Sequence, residues 1–66
     1  MFIQFNQTGD LASFQDILPR NLFRKAKTFR EDLSIFFFGL TESEISFLKV
    51  LGARFQAQIY QEGPGQ

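Results

Sequence analysis

Five cations have the clearest spacing for chemistry in this sequence. Arg20, Arg24, Lys25, Lys27 and Arg30 bring five of the seven Lys and Arg residues into eleven positions, with no acid among them. Phe23 and Phe29 are interleaved with them. Cations alternating with rings suit a phosphate backbone, where each contact releases about 0.9 counterion and makes binding fall with salt. The ordinary role of such a run is the solvated side of an amphipathic helix. These five are the candidate polyanion-binding residues, with nucleic acid as the candidate ligand.

No second chemistry is spelled out as clearly. The chain has no His and no Cys. That excludes disulfides, thiolate and imidazole metal sites, Ser-His and Cys-His pairs, and thiol redox chemistry. The carboxylates are Asp10, Asp16, Glu31, Asp32, Glu42, Glu44 and Glu62. None are spaced as an acid and a base in two different environments. Gly39-Leu40-Thr41 precedes a helix start but lacks the glycine spacing of a phosphate-binding loop. The expectation is a non-enzymatic protein with no catalytic, cofactor-binding or metal-ligating residue and no small-molecule substrate.

Phenylalanine is the other chemical signal. Ten Phe stand against one Tyr and no Trp in 66 residues. A ring without a polar handle belongs in a core or at a contact. A chain this short buries only about 60% of its unfolded surface. With no disulfide or metal to add stability, self-association is one of the few sources left. Zero net charge removes the repulsion that would oppose it. Ile35-Phe36-Phe37-Phe38 is an uncharged, strand-forming window that is safe from aggregation only when covered. Glu31, Asp32, Glu42 and Glu44 flank it as gatekeepers.

The elements that must position these residues follow from periodicity. Met1–Asn6 alternates as a half-buried strand, followed by a turn over residues 7–10 with Asp10 as helix N-cap. Leu11, Phe14 and Leu18 place a helix over residues 11–18. Leu22, Ala26, Phe29 and Leu33 share one helical stripe, so a second helix is read over residues 20–30, with the cations on its outer side. The run at 33–38 reads as a central strand. Thr41 and Glu44 form a capping box that starts a helix over residues 42–51, with Gly52 just past its end. Residues 53–61 alternate as a third strand. One domain is expected over residues 1–62, with 63–66 as a flexible tail.

The order β-α-α-β-α-β predicts a small α/β (or α+β) domain with a three-stranded, mostly parallel sheet. Right-handed crossovers in the order 1-2-3 place the helices mainly on one face, whereas the order 2-1-3 would put them on both; the first order is followed here. The other face is then bare. Its outer strands contribute Phe2, Gln4 and Asn6, and Arg54, Gln56, Gln58 and Tyr60. The central strand contributes either Phe36 and Phe38 or Ile35 and Phe37. Rings beside Arg54, Gln56 and Gln58 on an open sheet resemble, in chemistry alone, the stacking platforms that hold single-stranded RNA. RNA-recognition domains use four antiparallel strands and a pair of short motifs, and neither is read here.

Two functions are therefore expected. The first is a protein-interaction or assembly module that self-associates, as a homodimer or higher, through an aromatic sheet face or edge strand. Its interface residues are Phe36, Phe38, Gln56, Gln58 and Tyr60. The second is a small nucleic-acid-binding regulator using the basic helix around residues 20–30. Met1–Phe5 is too short for a signal peptide, and the run at 33–40 is too short for a membrane span. A cytoplasmic location without membrane contact is expected.

Overall fold

The computed structural model describes residues 1–61, so the expected tail at 63–66 lies outside the described residues. Along the chain run β1 (Phe2–Gln4), α1 (Thr8–Asp16), α2 (Arg20–Phe23), β2 (Ala26–Phe29), a 3-10 turn (Arg30–Asp32), β3 (Ser34–Phe37), α3 (Glu42–Arg54) and β4 (Gln58–Tyr60). The strands make one antiparallel sheet in the order β2-β3-β1-β4. This is a split β-α-β wiring, with α2 inserted ahead of β2. The domain is α+β, and the three-stranded, mostly parallel sheet expected from the sequence is wrong in both strand number and direction.

The error lies in residues 20–30. Leu22, Ala26 and Phe29 fit a helical stripe, but residues 26–29 form a strand that turns Ala26 and Thr28 toward the core side and Lys27 and Phe29 away from it. The chain keeps only four helical residues before that strand. β2 pairs with β3 at four positions: Ala26 with Phe37, Lys27 with Phe36, Thr28 with Ile35, and Phe29 with Ser34. An isolated helix of that length gains little, because helical stability comes mainly from packing. Pairing beside a strongly apolar strand outweighs it. The 3-10 turn and Leu33, held in the left-handed region at φ 54°, close the hairpin. This hairpin reverses β3 against β1, which removes the parallel pairing.

Both long helices pack on one face of the sheet. Ile3 stands opposite both Ile35 and Ile59, and this row carries the core. From α1, Leu11 and Phe14 join it, and Gln15 Nε2 donates to Thr28 Oγ1 at 2.8 Å. Phe14 meets Phe5 at 5.0 Å and the edge of Phe55 at 5.7 Å between ring centroids. From α3, Leu48 and Leu51 are buried. Gly52 lets α3 approach the sheet closely: a Cβ there would stand 3.0 Å from Ile59 Cδ1. Gly52 is thus interior to α3 rather than past its end. The helix runs on to Arg54, and the chain reverses at Gln56, φ 57°. The strand expected over 53–61 shrinks to Gln58–Tyr60 for that reason.

The helix starts differ in how they are capped. α1 begins at Thr8, so Asp10 lies in its first turn and is not the N-cap. At α3 the capping box forms as the sequence writes it. Glu44 N donates to Thr41 Oγ1 at 3.3 Å, and Thr41 N donates to Glu44 Oε1 at 2.9 Å. Among the described residues, no helix is long and apolar enough to cross a membrane.

Candidate functional site

The face of the sheet turned away from α1 and α3 carries the side chains that the core does not use. Register places them in rows. One row crosses all four strands as Lys27, Phe36, Phe2 and Tyr60. The next is Phe29, Ser34, Gln4 and Gln58. Phe38 extends β3 beyond the first row, its N–H donating to Lys25 O at 3.1 Å. The choice between the two central-strand pairs is settled by exposure. Ile35 is 0% and Phe37 1% exposed, whereas Phe38 is 53% exposed and Phe36 half-buried.

The rings are arranged in contact with one another. Phe36 and Phe38 stack with centroids 6.3 Å apart and planes 25° apart. Phe2 and Tyr60 meet across β1 and β4 at 6.1 Å and 53°. Lys27 Nζ stands 5.9 Å from the centroid of Phe29, a cation–π approach along β2. The Tyr60 hydroxyl donates to Gln58 Oε1 at 2.7 Å, and Gln4 Nε2 donates to Asp32 O at 3.4 Å. Lys27 is the one charged residue in the four strands, and the strands contain no carboxylate. At the end of the sheet, a cleft of about 290 Å³ is lined from both sides, by Phe36 and Phe38 of the open face and by Met1, Phe37 and Ile45 of the covered one, among others.

Of the interface residues named from the sequence, Phe36, Phe38, Gln58 and Tyr60 share this face. Gln56 does not. It forms the reversal after α3, where its carbonyl accepts from Asn6 Nδ2 at 3.2 Å. Arg54, read as a strand residue, closes α3. Phe2, Lys27 and Phe29 belong to the face and were not singled out as interface residues. Ala26-Lys27-Thr28-Phe29 has no alternation of apolar and polar residues, so the sequence held no local signal for the last two.

The five cations named from the sequence are not gathered on a helix. Arg20 begins α2 and Arg24 caps it. Lys27 is in β2 and Arg30 opens the 3-10 turn. Lys25 is engaged elsewhere: its Nζ lies 2.9 Å from Glu44 Oε1 and 2.9 Å from Gly39 O. Asn21 Nδ2 donates to Glu44 Oε2 at 3.0 Å. The Thr41 backbone N–H, then Lys25 and Asn21, stabilise the Glu44 carboxylate and lower its pKa from 4.5 to about 2. This cluster ties α2 to the start of α3. The basic helix proposed for nucleic acid is therefore replaced by four separate settings.

Comparison with protein-family models, with curated proteins and with solved structures yields no match for this chain.

Proposed function

We propose that this chain is a non-enzymatic binding module whose working surface is the open aromatic face of the sheet. One observation carries the reading: Phe2, Phe29, Phe36, Phe38 and Tyr60 lie together on the face opposite the helices. Exposed large apolar groups scattered singly are ordinary, but a contiguous aromatic patch marks a surface used for contact. The fold supports this use. The core cluster is built with α1 and α3 on the helix side, and it includes none of the five open rings.

The test separates a working surface from a structural one. Phe38→Ser and Tyr60→Ser should each change unfolding free energy in urea by less than about 1 kcal/mol, because surface substitutions away from packed groups rarely exceed that. Both should raise solubility. A loss of several kcal/mol in either variant would mean that the rings hold the monomer together, and the reading would fall.

A further inference from the structure

Resting on that reading, we infer that the occupant of the open face is single-stranded nucleic acid, with bases stacked on Phe36, Phe2 and Tyr60 and a phosphate held at Lys27. The carrying observation is the row Lys27–Phe36–Phe2–Tyr60, in which one cation at the β2 edge is followed by a ring on each successive strand. Neighbouring strands are about 4.8 Å apart, so the three rings span about 10 Å, with one positive charge a further strand away. Unpaired bases are flat and stack on such rings regardless of sequence, while their phosphates seek the cation. A duplex keeps its bases inside and has nothing to offer the rings.

Charge argues against a second copy of the chain as occupant. The strands bring Lys27 and no carboxylate, so a copy laid face to face would set each Lys27 against strands without an opposite charge. A stretch of two or three stacked bases needs one ring apiece. The adjoining row adds the amide side chains of Gln4 and Gln58, which can hydrogen-bond base edges. The turn after β2 carries Arg30 together with Glu31 and Asp32, so Lys27 is the cation the face relies on.

The test is a titration of the full chain into labelled short oligo(U), oligo(A), oligo(dT) and a DNA duplex, followed by fluorescence anisotropy. All three single strands should bind and the duplex should not. Oligo(U) against oligo(dT) shows whether RNA is distinguished from DNA. Tyr60→Ala and Phe36→Ala should each weaken binding by about 5- to 150-fold, the loss of one stacked base, whereas Tyr60→Phe should keep it. Should Phe36→Ala unfold, Tyr60→Ala carries the test, since its ring is half exposed. Lys27→Ala should reduce the slope of log affinity against log salt by about 0.7, the value for one phosphate of a single strand.

Phe47→Ala, on the exposed side of α3, should change nothing. Three results would overturn the inference: equal binding of duplex and single strand, indifference to Tyr60→Ala, or no binding by a folded monomer. A concentration-dependent dimer in sedimentation equilibrium that is abolished by Tyr60→Ala would also overturn it, in favour of a second copy. Any of these leaves the open face standing as the working surface. Only a structural role for Phe38 and Tyr60, read from urea unfolding, removes that.

Discussion

The two faces of the sheet are built from the same kinds of residue and have different fates. Phe37 and Phe38 are neighbours in the sequence, yet one is 1% and the other 53% exposed. Strand geometry sends successive side chains to opposite sides, so β3 delivers Ile35 and Phe37 to the helices and Phe36 and Phe38 to the open side. On the covered side, Ile3, Ile35 and Phe37 meet Leu11, Phe14, Leu48 and Leu51 in one closed cluster. On the open side the rings pair as Phe36–Phe38 and Phe2–Tyr60, Lys27 stands over Phe29, and the Tyr60 hydroxyl donates to Gln58. Apolar character alone therefore does not mark a core in this chain. What separates the faces is whether a helix comes down on them, and Gly52 is the residue that lets α3 do so on one side.

The comparison breaks most visibly if the covered side is weakened. Phe37→Ala should cost about 3–5 kcal/mol and Ile35→Ala about 2–5 kcal/mol, through lost burial and the cavity left behind. In a domain of this size that is much of the total stability. Urea denaturation of both, beside Phe38→Ser, measures the contrast directly. Equal losses on the two sides of β3 would erase it.

A second test concerns the tie that fixes α2 against α3 on the helix side. Glu44 has a folded-state pKa of about 2 against an ordinary value of 4.5, so its carboxylate favours the folded state. That contribution is fully present above pH 4.5 and is lost as pH falls toward 2. Acid unfolding followed by circular dichroism should therefore show stability declining over this window. Glu44→Gln should flatten this part of the profile, and Lys25→Met should reduce its amplitude. An unchanged acid limb in Glu44→Gln would show that the cluster does not link the two helices.

The smallest effect sharpens the boundary between the faces. Ser34 lies in an open-face row yet is 1% exposed, and its Oγ has no hydrogen-bond partner. Removing a buried, unpaired hydroxyl relieves its desolvation cost. Ser34→Ala should leave stability unchanged or raise it by up to about 1 kcal/mol in thermal unfolding. A clear loss would mean that the hydroxyl is engaged.

Some of this was legible in the residues. The capping box at Thr41 and Glu44 is a local signal with two reciprocal bonds, and it fixed the start of α3. β1 and β3 were visible as strands because their apolar content is high and their flanks are turns. The strand at 26–29 was hidden, because Leu22, Ala26 and Phe29 satisfy a helical period, whereas Ala26-Lys27-Thr28-Phe29 carries no apolar alternation to mark a strand. Pairing with β3, across the hairpin closed by residues 30–33, decides in favour of the strand. The hidden strand dispersed the basic run and concealed Lys27 and Phe29 as members of the open face. The central-strand pair could not be chosen by periodicity, since residues 35–38 are apolar throughout. The end of α3 was misplaced because glycine serves equally as a helix stop and as a point of close approach.

Tyr60 offers the most direct test of the open face as a nucleic-acid platform. It is the chain's one tyrosine, and there is no tryptophan, so intrinsic fluorescence reports this face alone. Its excited-state lifetime should be measured while oligo(U) is added to the folded protein. Stacking of a base on the ring should shorten the lifetime saturably, and Phe36→Ala should shift the midpoint to higher oligonucleotide concentration. A lifetime that stays constant while the protein remains folded and monomeric would contradict the account.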